Sequence, residues 1–384
     1  MNIRRKWPIS DAQHTRSALG VAVDSVPNIV NVAGLLIGLA FGAIGLLSGF
    51  CLTSGLRNWW IDGDGVLVRT FALAVAVAIA GTQVLAASGL VDISQSIYLQ
   101  PSFSAALILF GGILFGYGMV AANACVSRAL VLLGRGNLRS LVVVATVGVT
   151  AQMTLKGLIA PARLAFLHWS QLTLAKVALP DLLSAYGIGA PASRLAAATL
   201  FGGLLMFFAL AHAPFRRSYG QIAAGLAVGL LIPVGWFATG FLGSDPFNPA
   251  PVASLTFVAP SADSLQYVMF STGTSLSFGV ALVAGVVLGS LVTALITRRF
   301  AWEGYDSAPH MLRSIGGAAL MGSGGAMAYG CTIGQGLTGL STLAFPSIVA
   351  ATGILLGAAA ALRSPVRVAA LVSARAANRP AQRR

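Results

Sequence analysis

Apolar residues gather in ten runs along the chain: Ile29–Phe50, Phe71–Ala87, Ala105–Cys125, Leu141–Ala160, Leu164–Leu183, Leu195–Ala213, Ile222–Leu242, Leu276–Ile296, Ile315–Gly330 and Phe345–Leu362. Short stretches between them hold most of the charges and prolines. Each run is near the roughly 20 residues that carry an α-helix across a bilayer, and backbone that faces lipid has to satisfy its own hydrogen bonds. The pattern predicts an all-α, polytopic integral membrane protein with roughly nine to eleven crossings, some of them short, broken or re-entrant helices. No polar stretch is long enough to fold by itself, so residues 1–384 read as a single transmembrane domain. The run Leu164–Leu183 is the weakest, because His168, Gln171 and Lys176 suit an interface or a bundle interior better than lipid.

Composition agrees. Hydrophobic residues make up 57% of the chain and charged ones 9%, far below the share of about a quarter in soluble domains, and the mean hydropathy is +0.84. The formal charge of +14 does not imply nucleic acid, because the arginines sit in short loops and at the termini rather than in a basic module interleaved with aromatics. That distribution marks cytoplasmic membrane edges. Tails 1–28 and 363–384 are basic and read as cytoplasmic, whereas Gly243–Ser271 holds Asp245 and Asp263 without Lys or Arg and reads as external. Ten crossings with both tails inside would put Arg128, Arg135 and Arg139 on the outer side. Either the count is wrong or those arginines attract an anion.

The chain also repeats itself. Gly116-Tyr-Gly118 precedes Cys125 by the same offset at which Gly322-Ser-Gly324 precedes Cys331. A weaker match pairs Ala33–Gly38 and Gly49-Phe50 with Ala224–Gly229 and Gly240-Phe241, a register that sets Cys51 against Leu242. These units divide the chain into pseudo-repeated halves at about 29–185 and 195–362, a plan that in transporters places the site where the halves meet.

The chain has three cysteines, and each ends an apolar, glycine-containing helix. A membrane cysteine taken alone is usually a small apolar filler, but a filler has no reason to recur at a fixed offset from a Gly-x-Gly pair. Glycines 322, 324 and 325 are expected to bare one helix face for close packing. Gly330, Gly334 and Gly336 are expected to supply backbone angles that other residues resist, and these three with Gly49, Gly118 and Gly324 to break or thin the helices that carry the thiols. Asn123, Thr332, Gln335 and Ser48 can hydrogen-bond beside the thiols or satisfy backbone freed by broken helices. Arg128, three residues after Cys125, can meet an anion or snorkel to the membrane edge. No Cys or His spacing suggests a metal or disulfide framework, and no Gly-Lys-Ser/Thr follows the glycines near 334; no cofactor, metal or catalytic residue is predicted.

The segment Gly322-x-Gly-Gly-x-x-x-x-Gly-Cys-Thr-Ile-Gly-Gln-Gly-Leu-Thr-Gly-Leu-Ser341 resembles the signature of the YeeE/YedE family of sulfur-transport membrane proteins, and Gly49-Phe-Cys51 and Gly118 with Cys125 fall where that family has its other cysteines. The resemblance implies uptake of thiosulfate or a related sulfur-containing anion, not an enzyme, across the bacterial inner membrane, through a central pathway lined by Cys51, Cys125 and Cys331. It also implies a small cytoplasmic sulfur carrier of the TusA type as a partner. Thiols suit such cargo. A neutral S–H is a weak donor, its polarizable sulfur tolerates another sulfur, and conduction needs several weak sites in sequence. Transient hydrogen bonding is the favoured reading. The alternative is a membrane thiol enzyme or persulfide relay, which requires a thiolate nucleophile.

Overall fold

The computed structural model describes residues 11–173, 177–184, 190–245, 249–305 and 307–364, and the side chains of all of these except 11–28 and 182–191. Lys176, residues 1–10 and the tail beyond Ser364 lie outside it. In chain order the helices are α1 (Asp11–Ser48), α2 (Leu52–Arg57), α3 (Val66–Ala87), α4 (Ala105–Ala121), α5 (Val126–Gly134), α6 (Leu138–Leu155), α7 (Ala160–Trp169) and α8 (Leu179–Ser184). They continue with α9 (Ala190–Leu210), α10 (Ala213–Arg216), α11 (Tyr219–Gly240), α12 (Val258–Met269), α13 (Phe278–Ile296), α14 (Ala308–Met327) and α15 (Phe345–Arg363). The sheet is a single two-residue pairing, β1 (Ser102–Phe103) with β2 (Leu172–Thr173).

Eight spans among the described residues are long and apolar enough to cross a membrane. They are α1 with α2, α3, α4 with α5, α6, α9, α11, α13 and α15. The less apolar α14 crosses too. It runs antiparallel to α4, since a Cβ on Gly317 would meet the Ala122 nitrogen at 2.6 Å and one on Gly111 the Ala328 nitrogen at 2.7 Å. The eight spans and α14 make nine crossings, so Ile29 and Arg363 lie at opposite ends of the bundle.

The tenth predicted run is where the count changes. Leu164–Leu183 does not span; it breaks into the end of α7, the short β2 and α8, with Trp169 82% exposed. Removing that crossing puts Arg135 and Arg139 at the end that Arg363 shares, and it sets Ile29 at the other end, against the expectation that both tails lie on one side. The loops at Arg135–Arg139 and Arg298–Glu303 meet: Arg135 pairs with Glu303 at 3.2 Å and the Leu138 N–H donates to the Glu303 carbonyl at 2.9 Å. Arg216, Arg217 and Arg363 lie at this same basic end. The opposite, more acidic end holds Asp92, Asp181 and Asp245 together with Arg194 and Lys156. The positive-inside rule associates a basic end with the cytoplasmic side.

Two packing relations recur across the bundle. Helix α1 packs on α13 as α11 packs on α3, and α4 packs on α15 as α14 packs on α6. Exchanging α1 with α11, α3 with α13, α4 with α14 and α6 with α15 maps one set onto the other. Helix α9, which packs on α3, falls outside the exchange. Lipid is as apolar as these helices, so close backbone approach holds them together rather than burial from water. A Cβ on Gly38 would lie 2.3 Å from the Leu282 carbonyl of α13, and one on Gly116 2.1 Å from the Ile354 carbonyl of α15.

Two sequence expectations change here. Gly322, Gly324 and Gly325 do not form one bare face. They meet α6 (Val147 and Thr150), α4 (Gly111 and Phe115) and Val258 of α12 respectively, because α14 is enclosed on three sides. Gly243–Ser271 is no plain external loop. Its part before α12 descends until the Phe257 ring packs at a tilt on Phe41 of α1, with ring centroids 5.1 Å apart, and α12 then climbs back beside α6.

Candidate functional site

The three cysteines share one local device. Each stands two residues after a residue in left-handed conformation: Gly49 (φ 69°) before Cys51, Asn123 (φ 58°) before Cys125 and Tyr329 (φ 56°) before Cys331. That residue stops the incoming helix, as a left-handed position commonly does. Extended backbone at Cys51 and Cys125 then starts α2 and α5, for which these cysteines are the N-caps. Cys331 similarly precedes a π-helical turn at Gly334–Gly339. The thiols thus sit where one helix has ended and the next has not yet closed its hydrogen bonds.

All three thiols are free and buried, at 5%, 1% and 0% exposure. The Sγ atoms of Cys51 and Cys125 lie 3.6 Å apart, in contact but far from the roughly 2.05 Å of a disulfide. Cys125 Sγ is also 3.2 Å from the Ser127 hydroxyl. Cys331 belongs to a separate place, since along the antiparallel α4–α14 ladder the residues leading into Cys125 and those leading into Cys331 lie at opposite ends. Its Sγ accepts the Gly334 N–H at 3.4 Å. Phe71 bridges the two places: its ring stacks on Phe50, beside Cys51, at 5.6 Å, and its tip would be 3.2 Å from a Cβ on Gly336.

The other sequence candidates divide between these places. Asn123 and Arg128 belong with the thiol pair. Arg57 Nη1 donates to Asn123 Oδ1 at 2.7 Å, tying the Cys125 turn to the helix that follows Cys51. Arg128 Nη1 donates to the Gly45 carbonyl at 3.0 Å. Gly330, Thr332 and Gln335 belong with Cys331. Gln335 Nε2 donates to the Ala328 carbonyl at 2.5 Å, so the side chain braces the turn while its buried Oε1 has no partner.

The glycines act differently from expectation. None of Gly330, Gly334 and Gly336 has a positive φ; Gly49 has one, and a Cβ there would meet nothing within 4 Å. Gly330, Gly334 and Gly336 instead permit close approach, a Cβ on Gly334 falling 2.5 Å from the Thr256 hydroxyl. The left-handed positions before Cys125 and Cys331 belong to Asn123 and Tyr329, at a cost of roughly 1–2 kcal/mol each for a non-glycine residue.

The repeat register also shifts. Phe257, the N-cap of α12, occupies the place that Cys51 holds at the start of α2, so the Cys51 counterpart is Phe257 rather than Leu242. Sequence reading had matched the ends of the incoming helices and could not foresee the segment 241–257 inserted between α11 and α12. It also missed Arg57, six residues after Cys51, and Ser127, two after Cys125, whose spacing was visible. Tyr98 and Thr256 come from remote segments and gave no signal.

Chemically, both places offer weak, polarizable thiol donors, and Arg57 and Arg128 stand beside the pair. A family model described as sulphur transport matches residues 47–360. The chain is 24% identical over 338 residues to the thiosulfate transporter TsuA of Escherichia coli strain K12, an alignment that covers 85% of this chain and 92% of the relative. It is 25% identical over 338 residues to the thiosulfate transporter TsuA of Spirochaeta thermophila, covering 84% and 96%.

Proposed function

The chain belongs to the sulphur-transport family, as a multi-pass membrane transporter rather than an enzyme, and from that premise we propose that it takes up thiosulfate across the bacterial inner membrane past its three thiols. One observation carries the reading: every cysteine of the chain is buried inside the bundle, at a helix start behind a left-handed residue, and none faces lipid. A dianion entering at the acidic, outer end meets Cys331 first. It then passes Phe71 to the Cys51–Cys125 pair, and leaves beside Arg57 and Arg128.

Neutral thiols suit this task because the cargo has to leave each site. A carboxylate repels it, and a desolvated arginine holds it firmly. Transient S–H donation offers several weak sites in sequence. Each arginine is tethered through one guanidinium nitrogen, Arg57 to Asn123 and Arg128 to the Gly45 carbonyl, which fixes its positive charge beside the pair. Moving two negative charges inward against 100 mV costs about 4.6 kcal/mol. Consumption on the cytoplasmic side, by a small sulfur carrier of the TusA type, would offset that.

Labelled thiosulfate and the purified chain in liposomes provide the test. Uptake without any acceptor supports the conduit. Uptake only when a soluble acceptor thiol is enclosed favours a persulfide relay instead. Cys331→Ala at wild-type protein level is expected to abolish uptake, and normal uptake by that variant would remove the assigned role.

A further inference from the structure

Cys331 has neighbours that the thiol pathway does not use. Tyr98 lies in the short turn Ile97–Leu99 between α3 and α4 and is only 5% exposed. Its hydroxyl and the Thr256 hydroxyl both border Gly334. Thr256 stands in the segment that descends from the acidic end, one residue before the N-cap of the 12-residue helix α12. Between these hydroxyls and the thiol lies Gly334. Its N–H donates to Cys331 Sγ, and a Cβ on it would fall 2.5 Å from Thr256 Oγ1 and 3.5 Å from the Tyr98 hydroxyl.

The surroundings hold this arrangement in place. The Tyr98 ring meets Trp236 edge-on at 6.3 Å, and Trp236 Nε1 donates to Ser341 Oγ at 3.4 Å. The Thr338 hydroxyl donates to the Leu255 carbonyl at 2.6 Å, fastening the Gly334–Gly339 turn to the segment that carries Thr256.

We propose that Tyr98 and Thr256 take the oxygen end of the anion while Cys331 meets its sulfur end, which makes this the place where thiosulfate is told from all-oxygen anions. The proposal rests on the thiosulfate reading above and adds residues to it. Thiosulfate has two unlike ends: hard oxygens that accept strong O–H bonds, and a soft terminal sulfur. Two hydroxyls and one thiol converging on a side-chain-free position match that asymmetry. Each hydroxyl carries a proton that can turn to an anion oxygen at this position. Sulfate can use the hydroxyls, yet it has no soft atom for the thiol. A site built to pair a particular substrate group discriminates strongly against analogues that lack it.

The full chain in liposomes tests this through Tyr98→Phe, Thr256→Val and Thr256→Ser, with labelled thiosulfate as substrate and sulfate as competitor. Tyr98→Phe and Thr256→Val are each expected to raise KM roughly tenfold with a smaller change in maximal rate, as the loss of one hydrogen bond to an anion implies. Thr256→Ser keeps the hydroxyl and is expected to restore the wild-type KM. Unchanged KM in both Tyr98→Phe and Thr256→Val, or a defect that Thr256→Ser shares, overturns the proposal. Wild-type chain that takes up no thiosulfate in the same vesicles overturns the underlying reading, whatever the variants do.

Discussion

The two thiol places are built alike and furnished differently. At one, α2 and α5 begin with Cys51 and Cys125, and the sulfurs touch at 3.6 Å. At the other, α12 and the Gly334–Gly339 turn begin near Phe257 and Cys331, and the second thiol is replaced by a ring packed on Phe41. The same backbone plan therefore yields a pair in one place and a single thiol in the other. Hydroxyls from Tyr98 and Thr256 stand beside the single thiol, whereas arginines stand beside the pair. The helix breaks fix where a donor can be placed, and the side chains at those breaks decide which kind of anion contact each place makes.

The largest expected effects come from removing thiols. Cys331→Ala has no neighbouring thiol to substitute for it and should bring thiosulfate uptake to background. Cys51→Ala or Cys125→Ala leaves one sulfur of the pair and should lower uptake by roughly tenfold. Equal losses in all three variants, measured as initial uptake per folded protein, would break the distinction between pair and single site. Mild oxidation offers an independent check: mass spectrometry should find Cys51 joined to Cys125 and Cys331 still free, because only the first two sulfurs need move little to reach disulfide distance.

Smaller effects sharpen the comparison. Arg57→Ala frees Asn123, and with it the turn that sets the spacing of the pair. A stability loss of about 1–2 kcal/mol is expected for this charge-assisted but partly exposed bond, with less Cys51–Cys125 crosslinking and no change at Cys331. Gly49→Ala isolates the cost of the left-handed position, since the added methyl would touch nothing within 4 Å. It should destabilise the chain by about 1–2 kcal/mol, read from thermal unfolding in detergent.

The smallest effect concerns Asp92, in the loop between α3 and α4. Its carboxyl is held below the ordinary carboxylate range chiefly by the Ser94 hydroxyl, with further help from Gln95. A depressed carboxylate pKa contributes stability that is present above the unfolded value of about 3.9 and is lost as pH falls through the folded value. Wild type and Asp92→Asn should therefore differ slightly near neutral pH and converge in acid.

Much of this architecture was legible in the run lengths. Eight of the ten apolar runs fall on spans long and apolar enough to cross a membrane, and a ninth becomes α14, which runs antiparallel to α4. The tenth, Leu164–Leu183, failed for a reason already present in it, since His168 and Gln171 have no place in lipid. The thiol positions were legible as well, because each cysteine closes a glycine-containing run. Their mutual distances were not, since Cys51 and Cys125 are 74 residues apart. Arg57 could have been suspected from its nearness to Cys51, but Tyr98 and Thr256 could not, coming from loops that sequence alone leaves unplaced.

The sequence by itself determined that this chain lives in a membrane, that its helices break at three cysteines, and which family it resembles. Hydropathy and local residue order are sufficient for those, because each depends on a helix and its solvent. The tertiary structure alone decided that two thiols form a pair and one stands apart, that Asn123 and Tyr329 rather than further glycines adopt the left-handed turns, and that Phe257 takes the fourth position. Those outcomes depend on which helices pack together, and packing in lipid is governed by backbone approach at small residues, a property of facing surfaces that no single run of sequence contains.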